Sequence, residues 1–123
     1  MKLLYAEDDE FMAKFVMRSL LDDLFDIDHA MNGKAALVMF ATSKLGTYDA
    51  CLLDYYMPGM KGDELVEKIR SNNTEIPIII CSTDEDGIQK MMKAGANKFV
   101  DKSHSPSEWA KVIKNLVNER KGV

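Results

Sequence analysis

Short apolar runs and longer segments of helical periodicity alternate five times along this chain. The apolar runs are residues 2–6, 25–30, 49–54, 77–82 and 98–102. After each run, apolar residues recur at three- and four-residue spacings, which indicates a helix with one buried face. The predicted helices cover about 10–24, 33–41, 62–72, 86–95 and 107–119. Strands joined by helices run parallel, so this alternation predicts an α/β protein whose sheet is covered on both faces.

The composition of the runs separates inner strands from edge strands. Residues 51–53 and 78–80 are apolar at every position, as strands buried on both faces require, whereas 25–30 is polar at every second position. A doubly wound open sheet is favoured over a closed barrel, which needs about eight such units. At 123 residues the chain has room for one domain, which we place at 1–120 with a tail at 121–123.

Several classes of protein are disfavoured by charge and composition. A net charge of −4 gives no electrostatic reason for direct nucleic-acid binding, so we expect none. The start of the chain has only a short apolar run followed by acids, which predicts neither a signal peptide nor a membrane span and favours the cytoplasm. Cys51 and Cys81 lie in strand-like runs without further ligands nearby, which indicates small buried side chains.

Polar side chains stand where four of the predicted strands end. Ligands of such sheets bind at the carboxyl ends of the strands, so these side chains should converge on one edge. Carboxylates in close proximity repel unless they are protonated or hold a cation, and an open set of oxygen ligands suits Mg²⁺. The converging residues are Glu7 and Asp8, Asp54, Ser82, and Lys102.

Several motifs occur in order along the chain, most of them at strand ends. They are the acidic pair Glu7-Asp8, D-x-x-M-P-x-x-x-G at residues 54–62, Ser82, Ala94-Gly95-Ala96, and Lys102. With these motifs the chain resembles, from end to end, the receiver domain of two-component response regulators. This resemblance implies a flavodoxin-like (βα)5 three-layer sandwich with a parallel five-stranded sheet of order 2-1-3-4-5.

The resemblance assigns roles to these residues. Asp54 would be the nucleophile that accepts a phosphoryl group, with Ser82 bonded to a phosphoryl oxygen and Lys102 paired with the phosphate. Asp54, Asp8 and the backbone carbonyl of Tyr56 would bind Mg²⁺ directly, while Glu7 would act mainly through a coordinated water. Such a domain catalyses its own phosphorylation and dephosphorylation but turns over no metabolite, so it is not an enzyme in the usual sense.

The resemblance also implies how the signal leaves the site. Ser82 would move toward the phosphoryl group and Phe99 would turn inward, which shifts the face made by the fourth helix, fifth strand and fifth helix. Tyr56 and Asp84, each two residues beyond a site residue, would tune the access of water to the aspartyl phosphate. On the first helix, Met12 and Phe15 lie where related receivers dock a phosphohistidine helix, although the pattern favours core packing for Phe15.

One departure from the family concerns the residue after Lys102. The family usually has proline there after a cis peptide bond, whereas this chain has Ser103. A cis bond without proline costs about 3–4 kcal/mol, so we expect a trans bond with a displaced Lys102, or a strained exception.

The partners that the resemblance implies are a sensor histidine kinase or histidine phosphotransfer protein and a downstream protein target or output domain. An alternative is a receiver-like platform that binds proteins without being phosphorylated. A hydrolase with an aspartyl-phosphate intermediate is disfavoured, because it needs an acid two residues after the nucleophile and Tyr56 occupies that position.

Overall fold

The computed structural model describes residues 1–21 and 23–120, so the predicted tail at 121–123 lies outside the described residues. Strands and helices alternate in the predicted order. The elements are β1 (Lys2–Ala6), α1 (Glu10–Leu21), β2 (Asp26–Ala30), α2 (Gly33–Thr42), β3 (Ala50–Leu53), α3 (Gly62–Asn72), β4 (Ile78–Cys81), α4 (Glu85–Ala94), β5 (Lys98–Val100) and α5 (Pro106–Arg120).

The five strands form one parallel sheet of order β2-β1-β3-β4-β5, which confirms the predicted flavodoxin-like fold. Every residue of β3 and β4 is buried, as predicted for inner strands. Ala6 pairs with Leu53 and Leu53 with Ile80, so the carboxyl ends of β1, β3 and β4 are nearly level. This register places the residues that follow the three strands side by side.

Two apolar layers enclose the sheet. One is formed with α2, α3 and α4, and the other with α1 and α5. Trp109 of α5 is the largest fully buried side chain and packs in the second layer with Ile113. The two cysteines are free and buried, one in each layer, as predicted. Among the described residues, no helix has the length and apolar character that crossing a membrane requires.

Sequence patterns identified two helix ends correctly. Asn32 Oδ1 accepts a hydrogen bond from the Ala35 N–H at 2.8 Å, which makes Asn32 the N-cap of α2. Gly95 ends α4 with a φ of 126°, in the left-handed region that favours glycine.

The first helix departs from its prediction in length and in its buried face. It ends at Leu21 rather than 24, and Leu24 adopts a φ of 63° in an exposed turn. Phe15 is 59% exposed, so its expected core role was wrong; Ala13 and Val16 face the core instead. β5 ends at Val100, two residues before the predicted end, so Lys102 lies beyond the strand.

Candidate functional site

The carboxyl edge of the sheet brings together the three predicted carboxylates. Oxygen atoms of Glu7, Asp8 and Asp54 all lie within 4.8 Å of one another. Glu7 and Asp54 are buried, whereas Asp8 is exposed. Asp8 is therefore the solvent-exposed member of the cluster.

Lys102 reaches this cluster from the end of the fifth strand. Its Nζ lies 2.9 Å from Glu7 Oε1 and 3.0 Å from Asp54 Oδ2. Burial lowers the pKa of Lys102, but the contacts with Glu7 and Asp54 outweigh burial and raise it above its usual range. The described residues contain no cis peptide bond, so the bond to Ser103 is trans. The expected displacement of Lys102 was wrong, because the ammonium group still contacts both carboxylates.

The Asp54 carboxylate is oriented by groups on both of its oxygens. Oδ1 accepts a hydrogen bond from the Tyr55 N–H at 2.8 Å, and Oδ2 faces Lys102. Gly62 closes the loop after Asp54 by donating its N–H to the Tyr55 carbonyl at 2.9 Å. A Cβ at Gly62 would lie 2.5 Å from the Asp54 carbonyl oxygen, so only glycine fits there without a shift of the backbone.

Glu7 is held in a fully buried position. Burial is the main reason that its pKa rises to about 7, and the charge of Asp54 adds to the shift while Lys102 opposes it. Its backbone carbonyl contacts His29 Nε2 at 2.8 Å, a positioning contact that the sequence reasoning missed because His29 matches no motif.

The donor set fits a hard divalent cation. Its oxygens come from three carboxylates, of which those of Glu7 and Asp54 are buried and face the Lys102 ammonium group. Mg²⁺ takes such oxygen ligands and retains several waters.

Ser82 lies buried at the end of β4 and is linked to the start of α4. Ser82 Oγ accepts a hydrogen bond from the Asp84 N–H at 3.1 Å. The Asp84 carboxylate accepts from the Gly87 N–H at 2.7 Å, so Asp84 is the N-cap of α4. This capping role was not anticipated for Asp84.

The two aromatic residues assigned to the site by resemblance are both exposed. Tyr56 is 57% exposed, and Phe99 of β5 is 55% exposed with its ring outside the core. Tyr55, which drew no prediction, is instead buried, and its ring packs against Gly87 of α4.

Comparison with protein families identifies a match over most of the chain. The family model described as "Response regulator receiver domain" matches residues 3–114. The response regulator ArlR of Staphylococcus saprophyticus is 30% identical over 121 residues, which cover 97% of this chain and 53% of that protein. The transcriptional regulatory protein QseB of Haemophilus influenzae is 27% identical, with 99% and 55% covered. The chain thus spans about half the length of these curated relatives.

Solved structures give the same result. The receiver domain of the Francisella response regulator 1452 superposes with a TM-score of 0.84 at 28% identity and covers 96% of this chain and 97% of that one. A CheY-like receiver domain protein from Methanospirillum hungatei has a TM-score of 0.89 at 20% identity, with 98% and 96% covered, which shows the fold alone.

Proposed function

Because the chain belongs to the response regulator receiver family, and so is a regulatory domain of two-component signalling, we propose that Asp54 accepts a phosphoryl group from a phosphohistidine. The observation that carries the proposal is the Asp54 carboxylate itself, which lies within a cluster of acids and 3.0 Å from the Lys102 ammonium. The acidic cluster with Lys102 beside it argues against the phosphorylation-independent platform, which would not need these residues.

The proposed transfer is an in-line displacement. An Asp54 oxygen attacks phosphorus, the bond between phosphorus and the histidine nitrogen breaks, and its electron pair remains on the imidazole. The developing negative charge lies on the equatorial phosphoryl oxygens, where Lys102 stabilises it by charge. Ser82 would donate its hydroxyl to one of these oxygens.

The acids would hold Mg²⁺, which supplies charge neutralisation and orientation for the phosphoryl oxygens. Asp8, Asp54 and the Tyr56 carbonyl are the proposed direct ligands, and Glu7 the ligand that acts through water. The proximity of the three acids supports this assignment, because each offers a carboxylate oxygen within 4.8 Å of the others.

Phosphorylation would change the face formed by α4, β5 and α5. Ser82 Oγ accepts a hydrogen bond from the N–H of Asp84, the N-cap of α4, so a movement of the Ser82 hydroxyl toward the phosphoryl group would strain this bond and pull on the start of the helix. Phe99, now exposed, would turn inward into the space that Ser82 leaves. Phosphorylation would thereby shift a pre-existing equilibrium between two states of this face.

The phosphotransfer partner would be a sensor histidine kinase or a histidine phosphotransfer protein that docks on α1. Phe11 and Phe15 lie one turn apart on this helix and are 89% and 59% exposed, a pair of aromatic rings suited to an apolar helix. We place this exchange in the cytoplasm, where the kinase obtains its phosphoryl group from ATP.

The downstream partner would be a protein target or an output domain. Tyr56 and Asp84 would tune the hydrolysis of the aspartyl phosphate.

Intact mass spectrometry tests the phosphoacceptor. After incubation with Mg²⁺ and acetyl phosphate, wild type is expected to gain one phosphoryl group and Asp54→Asn none. Asp86→Asn, an equivalent change on the exposed surface of α4, is the matched control and is expected to behave as wild type. Phosphorylation of Asp54→Asn to the wild-type level would contradict the proposal.

A further inference from the structure

We propose that Asp101 is a positioning residue, which holds Lys102 in place through a turn anchored to Trp109. The proposal rests on the proposed role of Lys102 in phosphoryl transfer. It addresses how Lys102 reaches the carboxylates although β5 ends two residues earlier, at Val100.

The Asp101 side chain closes a tight turn around Lys102. Asp101 Oδ1 accepts a hydrogen bond from the Ser103 N–H at 2.8 Å and another from the Ser103 hydroxyl at 2.7 Å. The Asp101 carbonyl accepts from the His104 N–H at 3.0 Å. These bonds join the residues on both sides of Lys102, so they restrict its backbone where no strand pairing does. The two bonds from Ser103 also lower the pKa of Asp101, which keeps its carboxylate ionised as an acceptor.

The turn is fastened to the core by an indole group. Trp109 Nε1–H donates a hydrogen bond to the Asp101 carbonyl at 3.0 Å. Trp109 is 1% exposed and packs among the apolar side chains of α5 and the sheet. The backbone directly before Lys102 is therefore tied to one of the least movable side chains of the domain.

The position of the Lys102 backbone matters because the ammonium group must satisfy two carboxylates at once. Nζ contacts Glu7 and Asp54 at 2.9 and 3.0 Å. Fixing a lysine side chain costs up to about 2 kcal/mol of conformational free energy. If the Lys102 backbone is held in the right place, the side chain can reach both carboxylates from there, whereas a shifted backbone would weaken one contact or both. A displacement of about 1 Å costs about 100-fold in rate in unfavourable cases.

The test compares phosphorylation rates with acetyl phosphate and saturating Mg²⁺. Asp101→Ala is expected to lower the rate about 10-fold, because Lys102 is no longer held in place. Asn73→Ala is the matched control. Asn73 Oδ1 accepts hydrogen bonds from the Glu75 and Ile76 N–H groups at 2.9 Å each, in a similar turn that precedes the amino end of β4. Asn73→Ala removes equivalent bonds and is expected to remain within about 2-fold of wild type.

A double-mutant cycle separates positioning from general loss of structure. If Asp101 acts through Lys102, then Asp101→Ala has no further effect in a Lys102→Ala background. Asp101→Asn, which keeps an acceptor oxygen, is expected to recover most of the rate. Any one of three results would overturn the positioning role without touching the proposed function. The first is a wild-type rate for Asp101→Ala, and the second is a rate for Asp101→Asn as low as that for Asp101→Ala. The third is a full loss of about 10-fold on adding Asp101→Ala to Lys102→Ala. If wild type itself gains no phosphoryl group, the proposed function fails first and this role fails with it.

Discussion

Substitution of Gly87 by alanine sets helix propensity against packing. Gly87 lies inside α4, where alanine normally stabilises a helix by about 1 kcal/mol relative to glycine. A Cβ at this position would lie 2.5 and 2.6 Å from Cγ and Cδ2 of the Tyr55 ring and 2.8 Å from Asp84 Oδ2. The methyl group therefore meets a buried ring and the carboxylate that caps the helix.

The packing effect is the larger of the two. Inserting a methyl group into a well-packed region costs about 1–3 kcal/mol. Displacement of the Asp84 cap adds about 1 kcal/mol. After the gain in propensity is subtracted, Gly87→Ala should lower the free energy of unfolding by about 1–3 kcal/mol.

Urea unfolding followed by circular dichroism measures this change. Gln89→Ala, at an exposed position of the same helix, is the control and should remain within about 0.5 kcal/mol of wild type. Replacing Tyr55 by leucine should relieve the clash, so the double variant with Gly87→Ala should lose less than the sum of the single variants. An unfolding free energy of Gly87→Ala at or above wild type would refute the reasoning.

Three further predictions concern stability. In EDTA, ionisation of Glu7, whose folded pKa of about 7 exceeds its ordinary 4.5, should lower the free energy of unfolding by about 3 kcal/mol as the pH rises through both values, and Glu7→Gln should abolish this loss in urea titrations at several pH values. Asn32→Ala should cost about 1 kcal/mol in urea unfolding through loss of the cap on α2, whereas an unchanged midpoint would argue against the cap. Arg70→Met should cost about 2–3 kcal/mol in thermal unfolding, because Arg70 Nε donates to the Gly95 carbonyl at 2.9 Å; equal melting temperatures would contradict this.

Most of the fold follows from local patterns in the sequence. The order of strands and helices, the inner and edge strands, and the caps at Asn32 and Gly95 are set by periodicity and by residues with a strong conformational preference. The carboxyl end of α1 and its buried face were harder to predict. Leu24 continues the apolar spacing of the helix but lies in an exposed turn. Phe15 has the spacing of a core residue but faces solvent. Periodicity alone does not show which face of the helix packs against the sheet.

In the candidate site too, some features could be predicted from local patterns and others could not. The carboxylates and Lys102 could be located because residues at the carboxyl ends of parallel strands must meet. The contacts that orient them are tertiary: Tyr55 against Gly87, and Trp109 against the Asp101 carbonyl. An aspartate two residues before a serine is typical of a side-chain-capped turn, so Asp101 had a local signal, but nothing in the sequence indicated its bond to Trp109.

Trp109 is the only tryptophan of the chain. Its indole N–H bonds the carbonyl directly before Lys102. Fluorescence excited at the red edge of protein absorption therefore comes from a single chromophore, coupled by one hydrogen bond to the backbone of the site. Titrations with Mg²⁺ or a phosphodonor can be followed by this intrinsic emission, without a label and without altering any residue of the domain.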